Sequence, residues 1–266
     1  MWKISLNLLL IGTLSLMNVH GFVISSRPLP ATVLTATTND NDTTNRRRSG
    51  GWNVFRFLEQ SSRFASPLSF LSNNQKRDSS ITIRPGNVLW KVPDGKNDNP
   101  NAFTFAPLDD VIMGGVSSSK FDTTTGTWSG YVTDDNNGGF VGIRSTPNVQ
   151  WDMSNCRGIQ IELSSDNMPR RLKVVVRDST AFNRVAWTTI VDTSSSKWEK
   201  NKATVQIPFS KQVPTIFARK VPDQTFRPSN VVGIQLVYSK FDYDGDVNPY
   251  FRVGDVQLQV QAIKAY

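Results

Sequence analysis

From residue 157 onward the chain keeps one rhythm. Apolar and polar residues alternate with a period of two, and turn-forming residues interrupt the alternation at short intervals. In the run Arg157-Gly158-Ile159-Gln160-Ile161-Glu162-Leu163, the residues Ile159, Ile161 and Leu163 fall on one face. Residues 171–177 repeat the arrangement with Leu172, Val174 and Val176 inward. Residues 185–191, 203–207, 231–238 and 256–260 continue the series. A period of two belongs to half-buried strands, because successive side chains of a strand point to opposite faces. No segment sustains a helical stripe, although residues 215–220 are expected to make one helical turn. Antiparallel sheets that bury their apolar faces against each other follow from this pattern. The expected fold is all-β, a β-sandwich of jelly-roll type.

One stretch stands apart from the alternation. Residues 108–120 read L-D-D-V-I-M-G-G-V-S-S-S-K, and Asn136-Asn137-Gly138-Gly139-Phe140 follows some way on. Paired glycines tolerate positive φ, so a turn or bulge is expected at Gly114-Gly115 and at Gly138-Gly139, with the apolar run 111–113 passing underneath. Between them residues 121–132 alternate as strands, with Thr125-Gly126 as a hairpin turn. Asp110 is expected to accept backbone N–H bonds that hold the glycine turn.

The joint pattern resembles the complex I intermediate-associated protein 30 family. The residues that carry the resemblance are Asp109, Asp110, Met113, Gly114, Gly115, Ser117, Ser118, Asn137, Gly138, Gly139 and Phe140. Residues 154–159, Trp198, the Ile207-Pro208-Phe209-Ser210 segment and Gly233 before an apolar strand also fit. The resemblance runs from about Val88 to the C-terminus, and the polar insert 242–250 departs from it. It implies the galactose-binding-like version of the sandwich, in agreement with the alternation. It also implies a non-enzymatic assembly factor that binds immature subunits of a membrane redox complex. Family members help assemble respiratory NADH dehydrogenase, and plastid relatives serve photosynthetic complexes. The implied partners are subunits or assembly intermediates of such a complex and other assembly factors, with peripheral membrane association and no DNA. The expected binding rim is Asp109, Asp110, Met113, Gly114, Gly115, Ser117, Asn137, Gly138, Gly139 and Phe140.

What is missing restricts the chemistry. The one histidine is His20, inside the N-terminal apolar segment, and the one cysteine is Cys156. Histidine acid–base catalysis, Ser-His triads and thiolate metal clusters are therefore excluded from the β region. Cys156 flanks a strand and reads as a core residue. Gly114-Gly115 with Lys120 misses the P-loop spacing, and no dinucleotide-binding glycine pattern precedes a helix. No cofactor is expected. The carboxylates Asp109-Asp110 and Asp134-Asp135 are adjacent pairs, which on strands would face opposite ways. A glycosidase needs two that converge, so no enzyme is expected. Asp242, Asp244 and Asp246 invite a calcium reading, but Gly245 arrives too early for an EF-hand and no glutamate closes the loop. An acidic surface turn is the favoured reading there.

Aromatic and basic residues leave alternatives open. Trp128, Trp151, Trp187 and Trp198 either fill the core or form a sugar-stacking platform, and the apolar neighbours of Trp187 favour the core. A carbohydrate-binding module is accordingly the alternative function, with RNA binding in organelle translation behind it. Arg171, Lys173 and Arg177 share the outward face of one strand, with Lys197, Lys200 and Lys202 in a later loop. A solvated face is the default, and a docking patch for an acidic partner or RNA phosphate is the alternative. The net charge of +8 does not decide this. Lys3 carries one unit and residues 22–80 a surplus of four, which leaves +3 for the remainder.

The N-terminal third reads as targeting. Residues 1–21 have a short positive start at Lys3, an apolar core and small Gly21 at a tolerable cleavage site, as in a secretory-type signal peptide. Residues 22–80, opening on Phe22, are rich in Ser, Thr, Asn and Arg and poor in acid, the composition of a disordered transit peptide. The two together resemble the bipartite presequence of algae with secondary plastids. Plastid is the expected location, with mitochondrion as the alternative. The hydrophobic residues of 52–71 fit a transit segment or an amphipathic surface helix. The β domain is expected over residues 88–266.

Overall fold

The computed structural model describes residues 80–93, 103–166, 168–181, 184–193 and 202–266. The expected signal and transit segments, the 52–71 stretch, Trp198, Lys197 and Lys200 lie outside the described residues.

The alternation forms strands as it predicts. In chain order they are β1 (Ile81–Thr82), β2 (Val88–Lys91), β3 (Thr104–Pro107), β4 (Ser118–Asp122), β5 (Thr127–Val132) and β6 (Phe140–Thr146). Then come β7 (Trp151–Asp152), β8 (Gly158–Ser165), β9 (Arg171–Arg177), β10 (Ala186–Asp192) and β11 (Lys202–Pro208). The last four are β12 (Val213–Ile216), β13 (Arg219–Lys220), β14 (Gly233–Ser239) and β15 (Gly254–Ala265). A seven-stranded sheet runs β13-β12-β10-β9-β14-β6-β3. A six-stranded sheet runs β11-β8-β15-β5-β4, with β2 also paired to β15. All pairings in both sheets are antiparallel, and a small parallel pair joins β1 to β7. The chain is an all-β sandwich of two antiparallel sheets.

The core lies between the sheets. Leu172, Val174 and Val176 of β9 meet it from one side, beside Ile234, Leu236 and Tyr238 of β14 and Trp187 of β10. Ile159, Ile161 and Leu163 of β8 meet it from the other, with Leu258 and Val260 of β15 and Trp128 of β5. Each such aliphatic side chain contributes about 1.5–3 kcal/mol by leaving water. Strand β15 is long enough to serve β5, β8 and β2 at once, and its register shifts between Val260 and Ala262 where it passes from one partner to the next. An extra residue in one strand bends it and increases its twist. The hairpin between β4 and β5 is tied by Asp122, whose Oδ1 accepts the Thr124 N–H at 2.9 Å and the Thr124 hydroxyl at 2.6 Å.

Two expectations need correction here. Residues 215–220 form a hairpin instead of a helical turn: β12 and β13 pair, and Phe217 and Ala218 between them both take positive φ, at 48° and 62°. Two-residue hairpin loops take the turns whose twist matches the strands, and positive φ at both residues is one of these forms, so the pairing overrides what these side chains prefer. The run 111–113 is likewise not an extended segment. Asp110–Met113 is a 3₁₀ turn, which rotates successive residues by about a third of a turn. Val111 is accordingly buried while Met113 points outward.

Candidate binding site

The site begins with two carboxylates that the fold closes over. Asp109 and Asp110 are fully buried at the exit from β3. Asp110 Oδ1 accepts the Ser117 N–H at 3.0 Å, and Oδ2 accepts the Ser117 hydroxyl at 2.6 Å, the Gly139 N–H at 2.8 Å and the Phe140 N–H at 3.3 Å. Its backbone carbonyl accepts the Gly115 N–H at 3.0 Å. Asp109 does the same for the neighbouring strands: Oδ2 takes the Ser119 N–H at 2.9 Å, and Oδ1 takes the Ser119 hydroxyl at 2.6 Å and the Gly142 N–H at 3.2 Å. Buried carboxylates are tolerated when N–H and O–H donors replace the lost water. The expected role of Asp110 in holding the glycine turn is thus met. The pair does not face opposite ways as on a strand, because Asp109 and Asp110 stand at the start of a 3₁₀ turn and both side chains point into the protein.

The glycines are where they are because of Asp110. A Cβ on Gly115 would lie 2.3 Å from Asp110 Cγ, and one on Gly138 would lie 2.4 Å from Asp110 Oδ2. Gly114 and Gly139 add a second reason, with φ of 94° and 127°. Ser117 completes the knot by accepting the Thr133 N–H at 3.0 Å on the hydroxyl that serves Asp110. Asp109, Asp110, Gly115 and Ser117 are therefore internal. Gly114 is half-buried and does not line the cavity, whereas Met113, Asn137, Gly138, Gly139 and Phe140 line one wall of a cavity of about 500 Å³.

That cavity sits on the outer face of the seven-stranded sheet. Its floor is the outward row of β9, β10 and β14: Lys173, Val175 and Arg177, with Thr188, Gln235 and Val237. Its far wall is Phe217 and Ala218 of the hairpin with Phe241 and Tyr243. The insert that departs from the family pattern fastens this wall. Asp244 N–H donates to the Ala218 carbonyl at 3.0 Å, and Asp244 Oδ1 accepts the Lys220 N–H at 2.8 Å. Asp242 Oδ2 meets Arg171 Nη1 at 3.0 Å, and the Asp246 carbonyl accepts the Asp242 N–H at 2.8 Å. Asp242, Asp244 and Asp246 do not form a metal-holding group among the described residues.

The outward face of β9 is not the solvated surface expected of it. Lys173 and Arg177 are buried, since the 3₁₀ turn, the hairpin and the 240s loop rise around them. Arg171 alone of the three is partly open, and it pairs with Asp192 and Asp242. Burial pushes the Lys173 ammonium down to about 8, with Asp242 partly opposing. Burial, with repulsion from Arg177, pulls neighbouring Arg144 down to about 10. Burial lifts the Tyr243 phenol to about 12, helped by Asp242. Lys202 is exposed on the other sheet.

Several residues of the cavity were invisible to pattern reading. Thr188 lies far in sequence from Gln235 and Tyr243; strand register sets Thr188 and Gln235 on either side of Val175, and the Tyr243 hydroxyl donates to the Thr188 carbonyl at 3.2 Å. The outward phase of β9 was the available signal, and it marks a face without saying what covers it. The tryptophans settle in favour of the core: Trp128, Trp151 and Trp187 are buried and none lines the cavity. Cys156 is buried against the Ile83 carbonyl, 3.4 Å away, and burial raises its thiol, so the core reading holds.

A family 11 carbohydrate-binding module from Clostridium thermocellum, solved in complex with a mixed-linked β-1,3-1,4 tetrasaccharide, is 18% identical over 65% of this chain and 94% of its own, with a TM-score of 0.40. The family 11 module of the cellulosomal cellulase Lic26A-Cel5E from the same organism is 18% identical over 70% and 95%, with a TM-score of 0.42. An exo-β-agarase is 9% identical over 67% of this chain and 25% of its own, with a TM-score of 0.35. At these scores none of them bears on ligand or activity. No curated protein matches the chain. The profile described as complex I intermediate-associated protein 30 matches residues 96–260, which takes in the Asp109–Asp110 knot, both glycine pairs and the cavity floor. The chain belongs to the complex I intermediate-associated protein 30 family.

Proposed function

We propose that the protein is a non-enzymatic assembly factor, a chaperone that binds immature subunits of a membrane redox complex. Family membership supports an assembly-related role. The observation that carries the finer reading is a ring of large apolar side chains left in water around the cavity mouth. Met113 is 68% exposed, Phe217 65% and Phe241 43%, and all three line the cavity. Exposed apolar groups gathered at one rim mark a surface that another molecule covers. A subunit not yet in its membrane complex offers the apolar segments such a rim would shield. The knot around Asp110 fixes the Met113 and Phe140 wall, so the family motif supports the surface from beneath.

In this reading residues 1–21 act as a secretory-type signal and residues 22–80 as a transit segment, directing the domain of residues 88–266 to a plastid, with the mitochondrion as the alternative. The partners are assembly intermediates and other assembly factors, and the association with the membrane is peripheral. A tagged full-length copy run on a native gel of organelle membranes, with mass spectrometry of the co-migrating bands, tests this. Migration with partial complexes rich in membrane subunits, and absence from the finished complex, is the expected result. A lone low-mass species outside organelles overturns it.

A further inference from the structure

The cavity floor holds positive charge whose nearest carboxylates, Asp242 for Lys173 and Asp178 for Arg177, act from outside the lining. Lys173 and Arg177 stand four residues apart on the same face of β9, which at ~3.3 Å per residue separates their Cα atoms by about 13 Å. Arg184 stands beside Arg177, whose Nη2 approaches the Arg184 carbonyl at 3.5 Å. No Asp or Glu among the described residues lines the cavity. Among the described residues no carboxylate forms an ion pair with any of these three cations.

The cations also keep donors in hand. Lys173 Nζ gives two N–H groups, to the Ser239 hydroxyl and the Phe241 carbonyl, and retains a third. Arg177 uses Nε and Nη2 on the carbonyls of Ser179, Ala181 and Arg184, while Nη1 makes no hydrogen bond among the described residues. Between the two cations Gln235 pairs across from Val175, is 8% exposed, and its Oε1 has no partner. A buried amide oxygen left without a donor is costly, and so is a buried cation whose remaining donors find no acceptor. Much of the remaining lining is apolar, with Val175 and Val237 below and Met113, Phe217 and Phe241 at the rim, while Asn137, Thr188, Thr215, Ser239 and Tyr243 add neutral polar groups but no negative charge. The volume of about 500 Å³ falls among sites for small molecules, roughly 300–1,000 Å³.

We propose that the cavity binds a small organic anion, an apolar or aromatic body carrying one carboxylate or phosphate. Its anionic group sits at Arg177 and Arg184, and its body lies over Val175 and Val237 toward Lys173. The polar end is then held by charge-assisted hydrogen bonds, and the body covers apolar surface that is otherwise wet. This site stands independently of the assembly reading, and a failed native-gel experiment leaves it untouched.

Titration calorimetry on the purified full-length chain tests it, with phenyl phosphate, benzoate, inorganic phosphate, benzyl alcohol and a neutral β-glucan tetrasaccharide as probes. Phenyl phosphate or benzoate is expected to bind at least about 10-fold more tightly than benzyl alcohol or the sugar, and to weaken as salt is raised. The stronger of the two identifies phosphate or carboxylate as the recognised group. Arg184→Gln changes an exposed side chain and is expected to lower that affinity about 10-fold with the melting temperature unchanged. Arg177→Gln is expected to lower it further. Three results overturn the proposal: no anion binding at millimolar concentration, equal binding of the alcohol or the sugar, or undiminished affinity in Arg184→Gln. Inorganic phosphate binding as tightly as phenyl phosphate overturns the organic body.

Discussion

Strand β9 shows two faces of the same sheet with the same degree of burial and opposite chemistry. Its inner residues, Leu172, Val174 and Val176, are sealed by the second sheet and are uniformly aliphatic. Its outer residues, Lys173, Val175 and Arg177, are buried as well, yet two of the three are cations. The inner face is closed by a flat layer whose only demand is apolar shape. The outer face is closed by three irregular pieces, the Asp110–Met113 turn, the Phe217-Ala218 hairpin and the 240s loop, which leave a cavity between them. Burial by a sheet makes a core, and burial by loops makes a site. The difference is visible in the hydrogen bonds: buried Asp109 and Asp110 and the half-exposed Asp244 tie the loops down through N–H donors.

The contrast can be attacked first where the loops are tied down. Asp110→Ala leaves the N–H groups of Ser117, Gly139 and Phe140 unpaired in the interior and is expected to cost at least ~3 kcal/mol, read by urea denaturation. Gly115→Val drives a side chain into the Asp110 carboxylate and is expected to cost a similar amount; wild-type stability in either variant would refute the knot. The two faces of β9 should then separate. Leu172→Ala on the inner face is expected to cost about 2–5 kcal/mol, and Val175→Ala, beside an existing cavity, about 1 kcal/mol. Equal losses would mean that the outer face is packed as a core.

Titration sharpens the comparison further. Lys173 holds its proton less firmly in the folded state, at about 8, than at its ordinary 10.5. Its charged form therefore weighs against the fold below pH 8, and that weight lifts as pH rises from about 8 to 10.5. Wild type should gain up to about 3 kcal/mol relative to Lys173→Met across that window. Parallel pH dependence of the two proteins would show that the ammonium is well solvated.

How much of this the sequence could tell depends on which force shaped each part. The sandwich was legible because sheet burial imposes a period of two over whole strands, as at Ile159, Ile161 and Leu163. The role of Asp110 was legible because paired glycines beside an acid have few uses. The cavity was not. Lys173 and Arg177 carry the polar phase of an alternating strand, and a polar phase looks the same under solvent as under a loop. The 3₁₀ turn at Asp110–Met113 was not legible, because an apolar run does not reveal that it turns with three residues per turn, although Met113 is exposed as its place in the expected rim requires. The hairpin at Phe217 was misread because its left-handed residues are not the glycine or asparagine that usually announce such a loop. For the cavity the deciding contacts come from residues distant in the chain, whereas the 3₁₀ turn and the hairpin are local forms that their side chains do not announce.

The smallest change in stability should carry the largest change in function. Met113→Asp with Phe217→Asp alters two exposed side chains, and aspartate accepts the left-handed backbone at 217 more readily than phenylalanine. Stability is expected to stay within about 0.5 kcal/mol of wild type. The direct measurement is the level of the finished membrane redox complex on native gels of cells whose only copy carries this pair of substitutions. The account predicts that the variant accumulates to normal abundance while the finished complex falls and partial complexes build up. Normal levels of the finished complex at equal abundance of the variant would contradict it.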